Sequence, residues 1–235
     1  EALRWFHDIP ADRPRDKIAE PPTLLKVQGG ILEKYDVITH GCLLLLELSD
    51  ARAAQHLLDY VARRLVSAAA HVTQRSEPFL NVAFTYPGLV LAGLPDGLLQ
   101  LMPREFREGM ATRAGLLGDW RHNHPLHWRL PLRHGSGQGS DDTGVDRIEL
   151  SSVHVVLQLQ GRYPKATDWG DDPLAIGHPL QPWLLRLVDE LGRLGVRLLS
   201  VQPMQRLAPY DQPARGHFGY VDGISQPVIG GAKGV

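Results

Sequence analysis

The tightest constraint on this chain is a pair of strand–helix–strand patterns held apart by a long irregular stretch. The first opens at His40–Leu48, where four successive leucines, Leu43 to Leu46, suit a well-covered strand. Ser49 and Asp50 then supply N-cap oxygens for a helix predicted through about Ser67. Its residues Ala54, Leu57, Leu58, Val61 and Leu65 step by three and four, so one stripe faces a core. A second strand is predicted over Phe79 to Tyr86, ended by Pro87 and Gly88. Helical turns are expected at 88–92 and 98–102, with a longer helix around Arg104 to Leu117. The second pattern opens at Ser152 to Gln160, where Val153, Val155, Leu157 and Leu159 alternate with mostly polar neighbours. Pro182 fits the first turn of the next helix, and Gly195 can close it in a left-handed cap. Leu184, Leu187, Val188, Leu191 and Leu194 form its apolar stripe, and a strand from Val196 to about Arg206 completes the set.

Two such patterns in series are the split βαβ order of a ferredoxin-like α+β fold: a four-stranded antiparallel sheet with helices packed on one face. The chain divides accordingly. Residues 1–26, with four prolines up to and including Pro22, read as an N-terminal extension; 27–210 form the ferredoxin-like domain, with an irregular insertion at 118–148; 211–235 form a trailing segment. No internal repeat recurs at a fixed period.

Composition narrows the classes of function. Lys+Arg 25 against Asp+Glu 26 gives a net charge of -1, so no global field recruits nucleic acid or an anionic membrane. Glycine (24) and proline (18) are well above average use, which favours a loop-rich fold. The single cysteine, Cys42, rules out a disulfide framework and a Cys-built zinc or iron–sulfur site. No apolar run reaches the ~18 residues of a membrane span, and Glu1 to Asp8 show no leader pattern. A cytoplasmic location is the expectation, from a chain that begins without Met.

Several motifs carry little chemistry. His122, His124, His127 and His134 cluster in the insertion, but no carboxylate or cysteine stands at ligand-like spacing, so no metal site is expected. Gly135, Gly137 and Gly139 lack the strand and helix that a phosphate cradle needs. Asp141, Asp142 and Asp146 lack the spacing and closing Glu of a calcium loop. No G-x-S-x-G or G-K-[ST] occurs. G-x-x-D-G occurs twice, and its copy at Gly93-Leu94-Pro95-Asp96-Gly97 reads as a turn between two helical pieces.

The second copy has more around it. Phe218-Gly219-Tyr220-Val221-Asp222-Gly223-Ile224-Ser225-Gln226-Pro227 resembles, over ten consecutive positions, the signature stretch of the dye-decolorizing peroxidases. Three earlier blocks resemble that family in the expected order: Val27–Leu32; Asn81–Thr85 with Gly88-Leu89; and Phe106–Arg113 with Leu117-Gly118-Asp119. Together they span about residues 27 to 227. Departures are Gly30 where Asn is commoner, Tyr220 where Phe is commoner, and the histidine-rich loop after Asp119.

The resemblance implies a fold of the dimeric α+β barrel-type superfamily, haem b as cofactor, and hydrogen peroxide and a bulky phenolic or dye-like aromatic donor as substrates. It implies Asp222 as the catalytic acid–base, with Gly219, Asp222, Gly223, Ile224, Ser225 and Gln226 against the haem. Glycines suit a backbone pressed against a flat ring system, where there is little room for Cβ atoms. The family's axial His and distal Arg lie well downstream of this motif. No metal ligand is therefore expected within these 235 residues, and His217 reads as a locally bonded histidine. The chain resembles the N-terminal half of such an enzyme, expected to be inactive alone and to partner a C-terminal half, with a homo-oligomer also possible. The alternative is a haem-free ferredoxin-like module that keeps the fold and serves in binding or assembly.

Overall fold

The structure, a computed structural model, describes residues 27–31, 35, 38–67, 77–128, 130–135, 146–163, 172–205, 215, 218 and 220. Four strands form one sheet: β1 (His40–Leu48), β2 (Phe79–Phe84), β3 (Val155–Gly161) and β4 (Val196–Gln205). Their order is β2-β3-β1-β4 and every neighbouring pair is antiparallel, as the split βαβ order requires. Helix α1 (Ala51–Ala62) joins β1 to β2, and α6 (Gln181–Arg193) joins β3 to β4.

The period-2 alternation of the strands decides which face is core. Leu44, Leu46 and Leu48 of β1 and Val155, Leu157 and Leu159 of β3 point to the helix side. There they meet Ala54, Leu57 and Val61 of α1 and Leu184, Leu187 and Leu191 of α6. The opposite face carries a smaller cluster. β4 bulges so that Leu45 pairs with Ser200 and Leu46 with Leu198, which leaves Leu199 as the extra residue. Leu199 is buried with Ile148 and Val153, against Leu45 and Val156. The insertion is thereby pinned to the sheet: Ser200 Oγ donates to Leu132 O at 2.7 Å, and His134 N to Leu199 O at 2.7 Å.

Several element ends differ from the sequence expectation. Helix α1 is capped by Asp50, whose Oδ1 accepts from Ala53 N at 2.8 Å, but it stops at Ala62 rather than Ser67. There Val61 O accepts from both Arg64 N and Leu65 N, which tightens the last turn. The expected second strand ends at Phe84, because Thr85 turns to cap a new helix, α2 (Tyr86–Leu91), that contains Pro87. Helices α3 (Asp96–Gln100), α4 (Arg104–Thr112) and α5 (Ala114–Leu117) follow. The single helix expected over 104–117 is thus divided, and Gly109, at φ 72°, breaks it a second time. β3 begins three residues later than expected, since 150–152 form a 3-10 turn. Gly195, at φ 78°, takes the left-handed position after α6.

Candidate functional site

The residues singled out for chemistry, Gly219, Asp222, Gly223, Ile224, Ser225 and Gln226, lie outside the described residues. Of that stretch Phe218 and Tyr220 are described, 91% and 79% exposed.

The three earlier sequence blocks, Leu32 apart, lie within the described residues and act as joints. Gln28 clasps the edge strand β2 like a short piece of strand: its Nε2 donates to Val82 O and its Oε1 accepts from Val82 N, both at 2.9 Å. Asn81 Nδ2 donates to Gly29 O at 2.8 Å, so the first two blocks hold each other. Thr85 Oγ1 donates to Val153 O at 2.7 Å while accepting from Gly88 N at 3.1 Å. Gly88 itself lies against the backbone of His154, closely enough that a Cβ would stand 2.7 Å from the His154 carbonyl carbon and nearer still to its oxygen. The third block fastens the helical unit internally: Phe106 meets Tyr86 edge-on at 6.3 Å, and Arg113 sits 3.8 Å from Glu105 and 3.9 Å from Glu108.

Two surfaces stand out as unfinished. One is the half-buried open face of the sheet beyond the Ile148 cluster, where Gln158, Leu43 and Gln202 form one cross-strand row. Gln158 Nε2 reaches Met204 Sδ at 4.0 Å across it. The other is the helical unit, which exposes Met110 (65%), Leu116 (81%) and Trp120 (67%). Large apolar side chains this exposed mark interaction sites where they join into one patch. The sequence reading of 104–117 gives a helix without saying which of its side chains are covered.

The histidine-rich stretch divides between two 3-10 turns, Arg121–Asn123 and Pro125–His127. His124 Nδ1 accepts from Leu126 N at 3.3 Å, and Trp128 Nε1 donates to Asn123 O at 2.9 Å. Among the described residues no three His, Cys, Asp or Glu side chains converge to hold a metal ion. The copy of G-x-x-D-G at Gly93–Gly97 links α2 to α3: Gly93, at φ 78°, makes the turn, and Asp96 and Gly97 open α3.

A polar cluster the sequence did not announce closes one end of the sheet. Thr39 Oγ1 accepts from Tyr163 N at 2.9 Å and meets His40 Nδ1 at 2.9 Å. The His40 ring lies 5.8 Å from that of His178, edge-on. Burial holds both imidazoles below the usual histidine range, and the charge of His40 lowers His178 further. Burial also pushes the Cys42 thiol up to about 12 and the Tyr163 hydroxyl up to about 12.

No protein-family profile and no curated protein sequence matches the chain. Solved structures do. One dye-decolorizing peroxidase crystal structure aligns with 90% of this chain and 39% of its own at 18% identity, TM-score 0.62. A second, in complex with 2,6-dimethoxyphenol, aligns with 92% and 41% at 21% identity, TM-score 0.57. A third, from the engineering of a dye-decolorizing peroxidase heme pocket for asymmetric sulfoxidation, aligns with 91% and 40% at 20% identity, TM-score 0.60. The fold is that of the dye-decolorizing peroxidases. The chain spans about 40% of the length of the dye-decolorizing peroxidases it matches.

The described donor atoms allow a test of haem ligation. Axial ligands to haem iron are imidazoles, thiolates, thioethers or phenolates. His178 Nδ1 accepts from Leu180 N at 3.1 Å, and Cys42 is fully buried under the helices. Both belong to the packed interior, so neither fits as an axial ligand.

Proposed function

We propose that this chain is part of a haem-dependent peroxidase of the dye-decolorizing type, reducing hydrogen peroxide and oxidising bulky phenolic or dye-like donors. The observation that carries this reading is the alignment of about 90% of the chain with dye-decolorizing peroxidase structures. The ten-residue likeness around Asp222, which follows the last strand in sequence, supports it. Bound haem b would supply the redox chemistry. Asp222 has the role of a general acid–base: its carboxylate takes a proton from one peroxide oxygen and returns it to the departing one. Gly219 and Gly223 would leave room for a flat group to approach the backbone, and Ile224, Ser225 and Gln226 would help to hold it. A C-terminal half would supply the His that holds the haem iron and an anion-stabilising Arg. The length beyond this chain in the matched structures and the exposed apolar side chains of the helical unit support that partner.

The test is Asp222→Asn in the full natural polypeptide, with absorbance followed by stopped flow after mixing with hydrogen peroxide. Asn keeps the shape and loses the proton acceptor. The peroxide reaction is expected to slow by roughly 10²–10⁴-fold, with haem content unchanged. Asp96→Asn, in the turn copy of the motif, should leave the rate alone. A wild-type rate for Asp222→Asn would remove the residue from the mechanism.

A further inference from the structure

Residues 172–180 form a strap that leads into α6 past the end of the sheet where His40 begins β1. Two turns of one kind shape it: Asp172 Oδ1 accepts from Leu174 N at 2.9 Å, and His178 Nδ1 accepts from Leu180 N at 3.1 Å. The second turn is buried, with His178 4% and Leu180 0% exposed, and the His40 ring stands edge-on to that of His178 at 5.8 Å. From there the hydrogen bonds pass into the helix. Gln181 N donates to His178 O at 2.9 Å, and Trp183 N and Leu184 N donate to Leu180 O at 3.1 and 2.9 Å. We propose that the His40–His178 pair is an acid-sensitive latch, closed with both rings neutral and opened by protonation of His178, which frees the strap and the first turn of α6 while the sheet stays folded.

Hydrogen-bond chemistry sets the direction. Nδ1 of His178 supplies the lone pair that Leu180 N–H needs, so the proton of the neutral ring sits on Nε2. A second proton goes onto Nδ1, where it turns the acceptor into a donor facing a donor. A buried N–H that loses its acceptor is better served by water, which opening admits. His40 is tied at Nδ1 to Thr39 Oγ1 at 2.9 Å, which keeps its ring beside His178. Around the pair stand Tyr163 beyond β3, Cys42 on β1 and Asp172 on the strap, while the first turn of α6, Gln181 to Leu184, carries no ionisable side chain. Tyr163 and Cys42 stay neutral, since burial pushes the hydroxyl and the thiol each up to about 12. Burial, and after it the charge of His40, lower His178 from its ordinary 6.5, with Asp172 acting the other way. The positive end of the α6 dipole also disfavours a cation at this position. In the open strap the imidazole meets water and binds its proton more readily than in the closed one. Acid therefore drives opening, and the transition lies below pH 6.5. His40 pairs with Gln205, the last residue of β4, so the latch stands at the end of the sheet from which the chain continues toward Asp222.

Hydrogen exchange of the full natural polypeptide, followed by mass spectrometry at pH 5.0 and 7.5 and corrected for the intrinsic pH dependence of amide exchange, tests this. Peptides within 174–184 are expected to lose protection at least tenfold at pH 5.0, while peptides from β1 and β3 keep theirs. In His178→Asn the side-chain oxygen takes the place of Nδ1, as Asp172 Oδ1 does at the other turn of the strap, and it does not titrate. That variant should protect 174–184 equally at both pH values. His40→Gln removes the neighbouring charge and should move the midpoint of the loss to higher pH. Equal wild-type protection of 174–184 at both pH values, a loss that persists in His178→Asn, or a loss shared by β1 and β3 would each overturn the latch, and an unmoved midpoint in His40→Gln would overturn the pairing. The wild-type comparison stands whether or not the variants fold. None of these readouts bears on haem binding.

Discussion

Replacing Gly88 with alanine places a methyl group against the backbone of β3's approach, 2.7 Å from the His154 carbonyl carbon and 3.1 Å from its Cα. Backbone cannot turn aside as a side chain does, so α2 or the 153–154 segment must move. Overpacking of this kind costs about 1–3 kcal/mol. The His154 carbonyl also accepts from Thr85 N at 3.0 Å and Thr85 Oγ1 at 3.2 Å, worth about 1 kcal/mol each if the strand shifts away. Alanine recovers up to ~1 kcal/mol of helix propensity at this position. The net loss is about 3 kcal/mol, which should lower the urea midpoint by at least ~1 M. The control is Gly97→Ala in α3, where an added Cβ meets nothing within 4 Å. It should leave the midpoint unchanged or raise it slightly. If Gly88→Ala unfolds at the same urea concentration as Gly97→Ala, the joint between α2 and β3 is not as described.

Gln28→Ala removes both hydrogen bonds to Val82. It should cost about 2 kcal/mol and raise amide exchange at Val82 by an order of magnitude or more; unchanged exchange there would show that the clasp is not made. The His40–His178 pair gives stability a pH dependence of defined sign. Both imidazoles are held below the ordinary value of 6.5, so the unfolded chain binds more protons than the folded one below that pH. Stability therefore falls as pH drops below 6.5 and levels off beneath the folded-state values. The urea midpoint at pH 5 should be lower than at pH 7.5, and His178→Asn should flatten that slope; an identical slope in the variant would assign the effect to other groups.

How much could be read from the chain depended on the range of the interactions involved. The leucine run of β1, the alternation of Val153 to Leu159 and the cap at Asp50 are local signals, and each leads to the element observed. Leu65 continues the apolar spacing of α1 but lies past its end, because a partly buried side chain packs equally well from a turn. The helix expected over 104–117 is divided because Gly109, at φ 72°, leaves the helical region, a backbone choice that glycine permits without announcing. Gln28 was invisible as a clasp because its partner lies 54 residues away. Asp222 is the reverse case, legible as a motif with its surroundings outside the described residues.

The central claim is tested most directly by the visible absorption spectrum of the full natural polypeptide, purified and titrated with haemin. The account predicts stoichiometric uptake with a Soret band distinct from that of free haemin, and a spectral response to hydrogen peroxide that turns over a phenolic donor. A polypeptide that leaves the haemin spectrum unchanged would contradict it, and would make the chain a haem-free module with the fold of these enzymes.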